Sequence, residues 1–392
     1  MLKAGVGAST DKATLSAATA AARQAMDQAG IAQADFALVF ATIPHASLYT
    51  RMLERIADTV RTRHVVGCSA MGIFTSEGEV EDEPAIAVLV LASDALVATP
   101  FLVRSLRQQG GLAARRLARM LPSPRSSQDF LMLFPDTLTL QAGPFLDGLC
   151  LSWPGVPVVG GGASENGSQM HTYQWCGTEV ASDAVCGALF SGTLSRAIGH
   201  TVACHPIGDP LLVTRAEGNV IFELGGRPAY EIFTGLVQEW ALPDLRTAAN
   251  LFFLGFPCNP THTQLVPGEY YVRNIHGVDP HEGSLLAGAT VREGQVISFT
   301  VRDPRRARED MDSMVGDLAK VCSGRSPRFG VYFNCCGRGT SLYGRPNVDL
   351  DIIRKYFPDL PLIGFFTYAE IGPTSDGQCL HNYTGVLTLV GD

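Results

Sequence analysis

The chain has 392 residues, of which 46% are hydrophobic and only 17% charged; it is too long for one ordinary domain and too apolar for a disordered tail or a coiled coil. Lys and Arg number 30 against 38 Asp and Glu, a net charge of −8, and no basic stripe is present, which argues against nucleic acid as a direct partner. Ten cysteines occur without a CxxC pair, and a chain of this length does not need disulfide staples, so reduced thiols and a cytoplasmic setting are expected.

The first residues, Met1-Leu2-Lys3-Ala4-Gly5, lack the apolar stretch of a signal peptide. Gly5-Val6-Gly7-Ala8-Ser9-Thr10 lacks the third glycine of a dinucleotide loop. Ser9-Thr10-Asp11 makes an N-cap cluster for a covering helix over 13–29, ended by Gly30.

A repeating unit then begins. Phe36-Ala37-Leu38-Val39-Phe40 reads as a strand, and Leu48, Met52, Ile56 and Val60 share one helix face. Val65-Val66-Gly67 is a second strand and Ile86–Leu91 a third. The apolar run 85–92 has strand length, so no membrane span is expected. A basic stretch, 104–125, reads as a solvated helix and loop. The unit recurs as Phe130-Leu131-Met132-Leu133-Phe134, Val158-Val159-Gly160 and Val185–Phe190. It recurs again as Phe329-Gly330-Val331-Tyr332-Phe333, a helix through Val348, Ile352 and Tyr356, then Leu362-Ile363-Gly364 and Val386–Val390. Between the second and third copies, 193–324 carries strands at 252–256, 270–275 and 295–302 and a helix at 305–321, separated by turn signals.

The expected fold is α/β of mixed α+β type, with duplicated mixed sheets covered by helices and two related halves sharing a cleft. The polar connections are too short for helical crossovers throughout, so part of each sheet should be antiparallel. A boundary near 221–227 divides a domain over 1–222 from one over 223–392. Strand-end loops are the first place to look for a site. The glycine surplus, 41 residues, gathers there, with Cys68, Ser69, Gly161 and Gly162 at the ends of the first two copies.

Three clusters could carry chemistry. In Asn334-Cys335-Cys336-Gly337-Arg338-Gly339-Thr340 the two glycines would let backbone amides approach an anion while Arg338 grips it bidentately. Adjacent cysteines rarely pair, so Cys335 and Cys336 are expected as thiols. Packing is their commoner role and nucleophilic attack by Cys335 the alternative, with His381 as base only if the third copy folds back. In Tyr368-Ala369-Glu370, Glu370 is either a solvated turn acid or a desolvated one needing a partner such as a ligand ammonium or Arg338. In Tyr270-Tyr271-Val272-Arg273-Asn274-Ile275, alternation puts Tyr271, Arg273 and Ile275 on one face, and Arg273 either snorkels at an edge or reaches into a pocket. No histidine spacing suggests a metal site, so none is expected. His171 and Cys204-His205 are lone candidates for a haem ligand.

Five motifs together resemble the FIST family, the sensory domains of F-box and intracellular signal transduction proteins. They are Gly225-Gly226-Arg227-Pro228-Ala229-Tyr230; Tyr270-Tyr271-Val272-Arg273 with Ile275 and Gly277; Cys336-Gly337-Arg338-Gly339; Leu362-Ile363-Gly364-Phe365-Phe366 leading to Glu370-Ile371; and His381-Asn382-Tyr383-Thr384. Val66-Gly67-Cys68-Ser69 with Gly72, and Val159-Gly160-Gly161, resemble the amino-terminal companion domain. Ala369 departs from the glycine the family more often has before the acid. The resemblance implies a non-enzymatic, cytoplasmic sensor of a small molecule such as an amino acid, signalling through a separate partner such as a kinase. Arg273 or Arg338 would take the carboxylate and Glu370 the ammonium, with Asn334, Cys335, Cys336, Gly337, Gly339, Tyr368 and Asn382 lining the site. No cofactor is expected. A haem-binding nitric-oxide sensor of the same family, through His171 or His205, and a thiol-dependent enzyme using Cys335 are the alternatives.

Overall fold

The structure, a computed structural model, describes residues 1–124 and 126–392. Arg125, at the end of the basic stretch, lies outside the described residues. The first unit comprises β1 (Lys3–Ser9), α1 (Thr14–Ala29), β2 (Phe36–Thr42), α2 (Tyr49–Val60), β3 (Val65–Ala70), a hairpin of β4 (Gly72–Thr75) and β5 (Gly78–Glu81), and β6 (Ile86–Ala92). The second repeats it as β7 (Leu96–Arg104), α3 (Leu106–Met120), β8 (Phe130–Pro135), α4 (Ala142–Ser152), β9 (Val158–Gly161), the hairpin β10 (Gln174–Cys176) and β11 (Glu179–Ala181), and β12 (Ala184–Gly192).

The third unit opens with β13 (Ser195–Val202) and is then interrupted. The insert holds β14 (Cys204–Glu217), β15 (Val220–Leu224), β16 (Arg227–Pro228), α5 (Ala229–Glu239), α6 (Leu245–Leu251), β17 (Phe252–Pro257), β18 (Tyr270–Asp279), β19 (Ser284–Ala287) and β20 (Val296–Arg302). The unit resumes with α7 (Pro304–Val321), β21 (Phe329–Cys335), α8 (Gly339–Tyr343), α9 (Val348–Tyr356), β22 (Leu362–Thr367), the hairpin β23 (Glu370–Thr374) and β24 (Gly377–His381), and β25 (Thr384–Gly391).

Each unit builds the same sheet. The orders are β1-β6-β2-β3, β7-β12-β8-β9 and β13-β25-β21-β22. In each, the two central strands joined through a helix run parallel and the rest antiparallel. The hairpins do not stay at home. That of the first unit extends the third unit's sheet, the second's extends the first's, and the third's extends the second's. A cyclic exchange of edges links the three units and covers edges that would otherwise be open to pairing. The mixed α/β class is thus the expected one. Its organisation is finer than two halves, being three copies of one unit with a seven-stranded inserted sheet, within which residues 221–227 fall.

Strand alternation sends the first and fifth positions of each Phe-x-x-x-Phe run inward. Phe36, Phe40, Phe130, Phe134, Phe329 and Phe333 are all at most 2% exposed and meet in one central core. Phe40 meets Phe134 edge-on at 5.3 Å, and Phe130 stacks on Phe190 at 4.8 Å. Helices cover the outer faces, α1 and α2 on the first sheet, α3 and α4 on the second, α7 and α9 on the third. The repeated glycine of the second strand has a packing cause. A Cβ on Gly67, Gly160 or Gly364 would overlap the main-chain carbonyl of its register partner, Val39, Leu133 or Tyr332. At these three positions glycine serves the close approach of strand to strand.

The insert is a small layered body. Phe233 and Ala248 of its helices pack on Phe252, Leu254, Ile297 and Phe299. Its other face, through Cys204, Phe253, Tyr270 and Val272, packs on Val202 of β13.

Candidate functional site

The strand ends of the third unit carry most of the expected site residues. Alternation along β21 turns Phe333 to the central core and Tyr332 and Asn334 to the helix side. Among the described residues, neither end of the fully buried Asn334 amide has a partner. Glu370, on the exchanged hairpin, is fully buried. One carboxyl oxygen takes the Thr367 hydroxyl, and the other accepts from Thr384 N at 3.2 Å and Thr384 Oγ1 at 2.7 Å. Burial holds this carboxyl well above the ordinary carboxylate range, with Cys335 adding to the effect. Glu370 is thus the desolvated acid, and its partners are two threonines.

The neighbouring loops are knitted together. Tyr368 donates its hydroxyl to Glu165 O at 2.8 Å, and Asn382 Nδ2 donates to Tyr368 O at 3.0 Å. Gly162 N donates to Ala369 O at 2.7 Å, and Gly161 packs on Thr367. Ser69 Oγ accepts from Tyr173 N at 3.0 Å, while Cys68 sits in the central core. Gly337 lies against the Tyr383 ring and Gly339 against Phe366 and Glu81. Cys335 is buried and its thiol is held well above its ordinary value, first by its hydrogen bond with Cys336 and then by burial. The same contact draws the half-buried Cys336 down, so the more acidic thiol is Cys336.

Arg338 lies outside this group of side chains. It is fully buried, with Nε donating to Asp349 Oδ2 at 3.1 Å and Nη2 to Asp349 Oδ1 at 3.0 Å and to the Tyr343 hydroxyl at 2.9 Å. Tyr332 and Tyr343 donate their hydroxyls to the same carboxylate at 2.9 and 2.8 Å. The bidentate grip that the sequence offers to a ligand is taken by Asp349; among the described residues Nη1 has no partner.

Arg273 is in the opposite condition. It is half-buried, stacked over the Tyr271 ring at 4.6 Å, and reaches from the insert to the exchanged hairpin. Nη1 donates to Val272 O at 2.8 Å and Asn382 Oδ1 at 2.5 Å, and Nη2 donates to Leu380 O at 3.2 Å. Among the described residues no carboxylate forms an ion pair with it. Burial lowers its pKa, with Tyr271 and Glu370 opposing. Tyr271 also walls a cavity of about 440 Å³ lined by Pro260, Thr290, Arg292, Glu293, Gly294 and Gln295.

A second cluster went unrecognised in the sequence. Cys258, just after β17, and Cys379, on β24, are 121 residues apart and form a disulfide with Cα atoms 6.2 Å apart, which corrects the expectation of reduced thiols throughout. His381, two residues on and therefore on the same strand face, offers a ring nitrogen within 4.8 Å of both sulfurs. Its Nδ1 lies 3.1 Å from Tyr270 O, where Nδ1–H donates, and its Nε2 lacks a partner among the described residues. His200 of β13 stands beside it, ring centroids 5.4 Å apart, its Nε2 also without a partner. Burial lowers His381 to about 3 and His200 to about 4. The available signal was Cys379-x-His381 on a strand, but the arrival of Cys258 and His200 depends on the insert and on the hairpin exchange.

The two haem candidates are separate from these clusters. His171 is exposed and stands edge-on to Tyr173 at 4.6 Å. His205 is half-buried, with burial lowering its pKa and Asp310 opposing.

The strand ends of the third unit thus hold a buried acid and a thiol pair, and the insert brings a half-buried arginine beside them. Residues 35–227 match the FIST N domain and residues 229–373 the FIST C domain. The chain belongs to the FIST family, whose domains are sensory, small-ligand-binding signalling domains. An uncharacterized protein of Mycobacterium tuberculosis is 28% identical over 391 residues, 100% of each chain. An uncharacterized protein of Methanocaldococcus jannaschii is 21% identical over 345 residues, 84% of this chain and 64% of that one. F-box only protein 22 of Homo sapiens is 35% identical over 77 residues, 16% of this chain and 19% of that one. Among the described residues no helix is long and apolar enough to cross a membrane.

Proposed function

We propose that this chain is a non-enzymatic cytoplasmic sensor of a small carboxylate, an amino acid above all, which it receives at Arg273 and reports to a separate signalling protein such as a kinase. The observation that carries this reading is a half-buried guanidinium without a carboxylate partner among the described residues, beside a cavity sharing the Tyr271 ring. Burying an arginine against carbonyls alone leaves its charge uncompensated, and a carboxylate restores the balance through charge-assisted hydrogen bonds. A volume of about 440 Å³ suits a molecule of amino-acid size. Glu370 is already held by two threonines.

A thermal-shift and calorimetric screen of amino acids and their carboxamides tests this. Carboxylates should raise the melting temperature and their amides should not. Arg273→Lys should weaken binding about tenfold or more, because the fork geometry is lost. Binding unchanged in Arg273→Ala would remove the site from consideration.

A further inference from the structure

We propose that Cys258, Cys379, His381 and His200 form a binding site for a soft divalent metal of the Zn²⁺ class, open when the two cysteines are reduced and closed by their disulfide. The geometry is built by three separate sheets. Cys258 comes from the insert, Cys379 and His381 from the exchanged hairpin, and His200 from the edge strand of the third unit. In the antiparallel pairing of β23 with β24, Gly372 faces Cys379 and Glu370 faces His381, so all four lie on one face. Residue 372 is a glycine for a local reason. A Cβ there would overlap Nε2 of His200, so the missing side chain is the hole through which that imidazole reaches the cysteine and histidine.

The donor chemistry selects the metal. Two thiolates and two neutral imidazoles make the S₂N₂ set of tetrahedral zinc sites, with bonds of about 2.3 and 2.0 Å and ligand-to-ligand edges of about 3.5 to 3.8 Å. The two sulfurs and the His381 nitrogen already lie within 4.8 Å of one another. His381 shares a feature of metal-binding histidines: its Nδ1–H is held by a backbone carbonyl, and its Nε2 has no partner among the described residues. Two fully buried or nearly buried imidazole nitrogens without partners are costly unless something meets them, and a metal meets both. Two thiolates cancel the ion's charge, so the buried site is neutral overall.

Opening the site needs a dithiol reductant. Two successive thiol–disulfide exchanges break the Cys258–Cys379 bond and leave the reductant as its own disulfide and both cysteines as thiols. The metal ion then displaces one proton from each thiol.

The test uses the full chain, reduced with dithiothreitol, desalted under argon and titrated with Co²⁺. Expected are one Co²⁺ per chain, the visible bands of tetrahedral cobalt and a thiolate-to-metal charge-transfer band. Zn²⁺ should displace the cobalt and protect two thiols from a maleimide, and the unreduced chain should bind none. Cys258→Ser, at a half-exposed position, should lose the charge-transfer band while circular dichroism stays unchanged. His200→Gln should weaken Co²⁺ binding. Absence of stoichiometric uptake by the reduced chain, or a charge-transfer band that survives in Cys258→Ser, overturns the assignment. Neither outcome bears on carboxylate binding at Arg273.

Discussion

Arg338 and Arg273 occupy neighbouring regions and teach by contrast. Around Arg338, under α8 and α9, the protein supplies a carboxylate and two tyrosines and seals the group completely. Around Arg273, where the insert meets the exchanged hairpin, it supplies two carbonyls, an amide oxygen and a ring face, and leaves the charge to something else. An arginine compensated by its own chain holds structure together, and one supplied only with neutral acceptors is available to a ligand. Both lie in motifs that read alike in sequence, as basic residues among glycines or tyrosines.

The largest expected effect falls on the sealed region. Asp349→Ala should destabilise the chain by about 3–5 kcal/mol, because it strands a buried guanidinium and two tyrosine hydroxyls. Replacing both partners with Arg338→Met and Asp349→Leu should cost much less, and urea unfolding of the three chains measures the difference. A single substitution costing under about 1 kcal/mol would show that water reaches the pair. The middle effect tests packing at the second cluster. Gly372→Ala should cost about 1–3 kcal/mol by driving His200 away, and His200→Ala in the same chain should restore most of the loss. A smaller loss belongs to Arg273→Ala without ligand, about 1–2 kcal/mol, since only hydrogen bonds to neutral acceptors go. If it matches Asp349→Ala, the two regions are not different in kind.

Much of the core was legible because its signals are local. Phe36, Phe40 and their counterparts alternate with a period of two, and the glycine facing a neighbour's carbonyl recurs in every copy. The third copy is harder to delimit, since the insert parts β13 from β21 and 221–227, read as a domain boundary, lies in the insert's sheet. Hairpin exchange leaves no periodic mark, because the strand that receives β23 is set by packing of whole units. The resemblance names Arg273, Asn382, Tyr368 and Glu370 as site residues, but the sequence does not tell that Asp349, eleven residues on, claims Arg338. Cys258 and Cys379 looked like isolated thiols for the same reason: 121 residues separate them, and only the docked insert joins them.

A last test sharpens the comparison through pH. Glu79, on the hairpin exchanged onto the third unit's sheet, accepts from Asn347 N at 2.6 Å, while its Oε1 has no partner. Burial raises its pKa from 4.5 to about 8, with Asp349, Glu81 and Asp351 adding repulsion and the Asn347 bond opposing. Its folded pKa lies above its unfolded one, so between about 4.5 and about 8 the folded chain holds the extra proton. Stability from this group therefore falls as pH rises through that window and is level above it. Glu79→Gln removes the titration while keeping the shape. The melting temperature of the parent chain should fall more steeply than that of Glu79→Gln between about pH 5 and about pH 8. Parallel curves would mean that Glu79 ionises as in water, and that the sealed region around Asp349 tolerates one more negative charge.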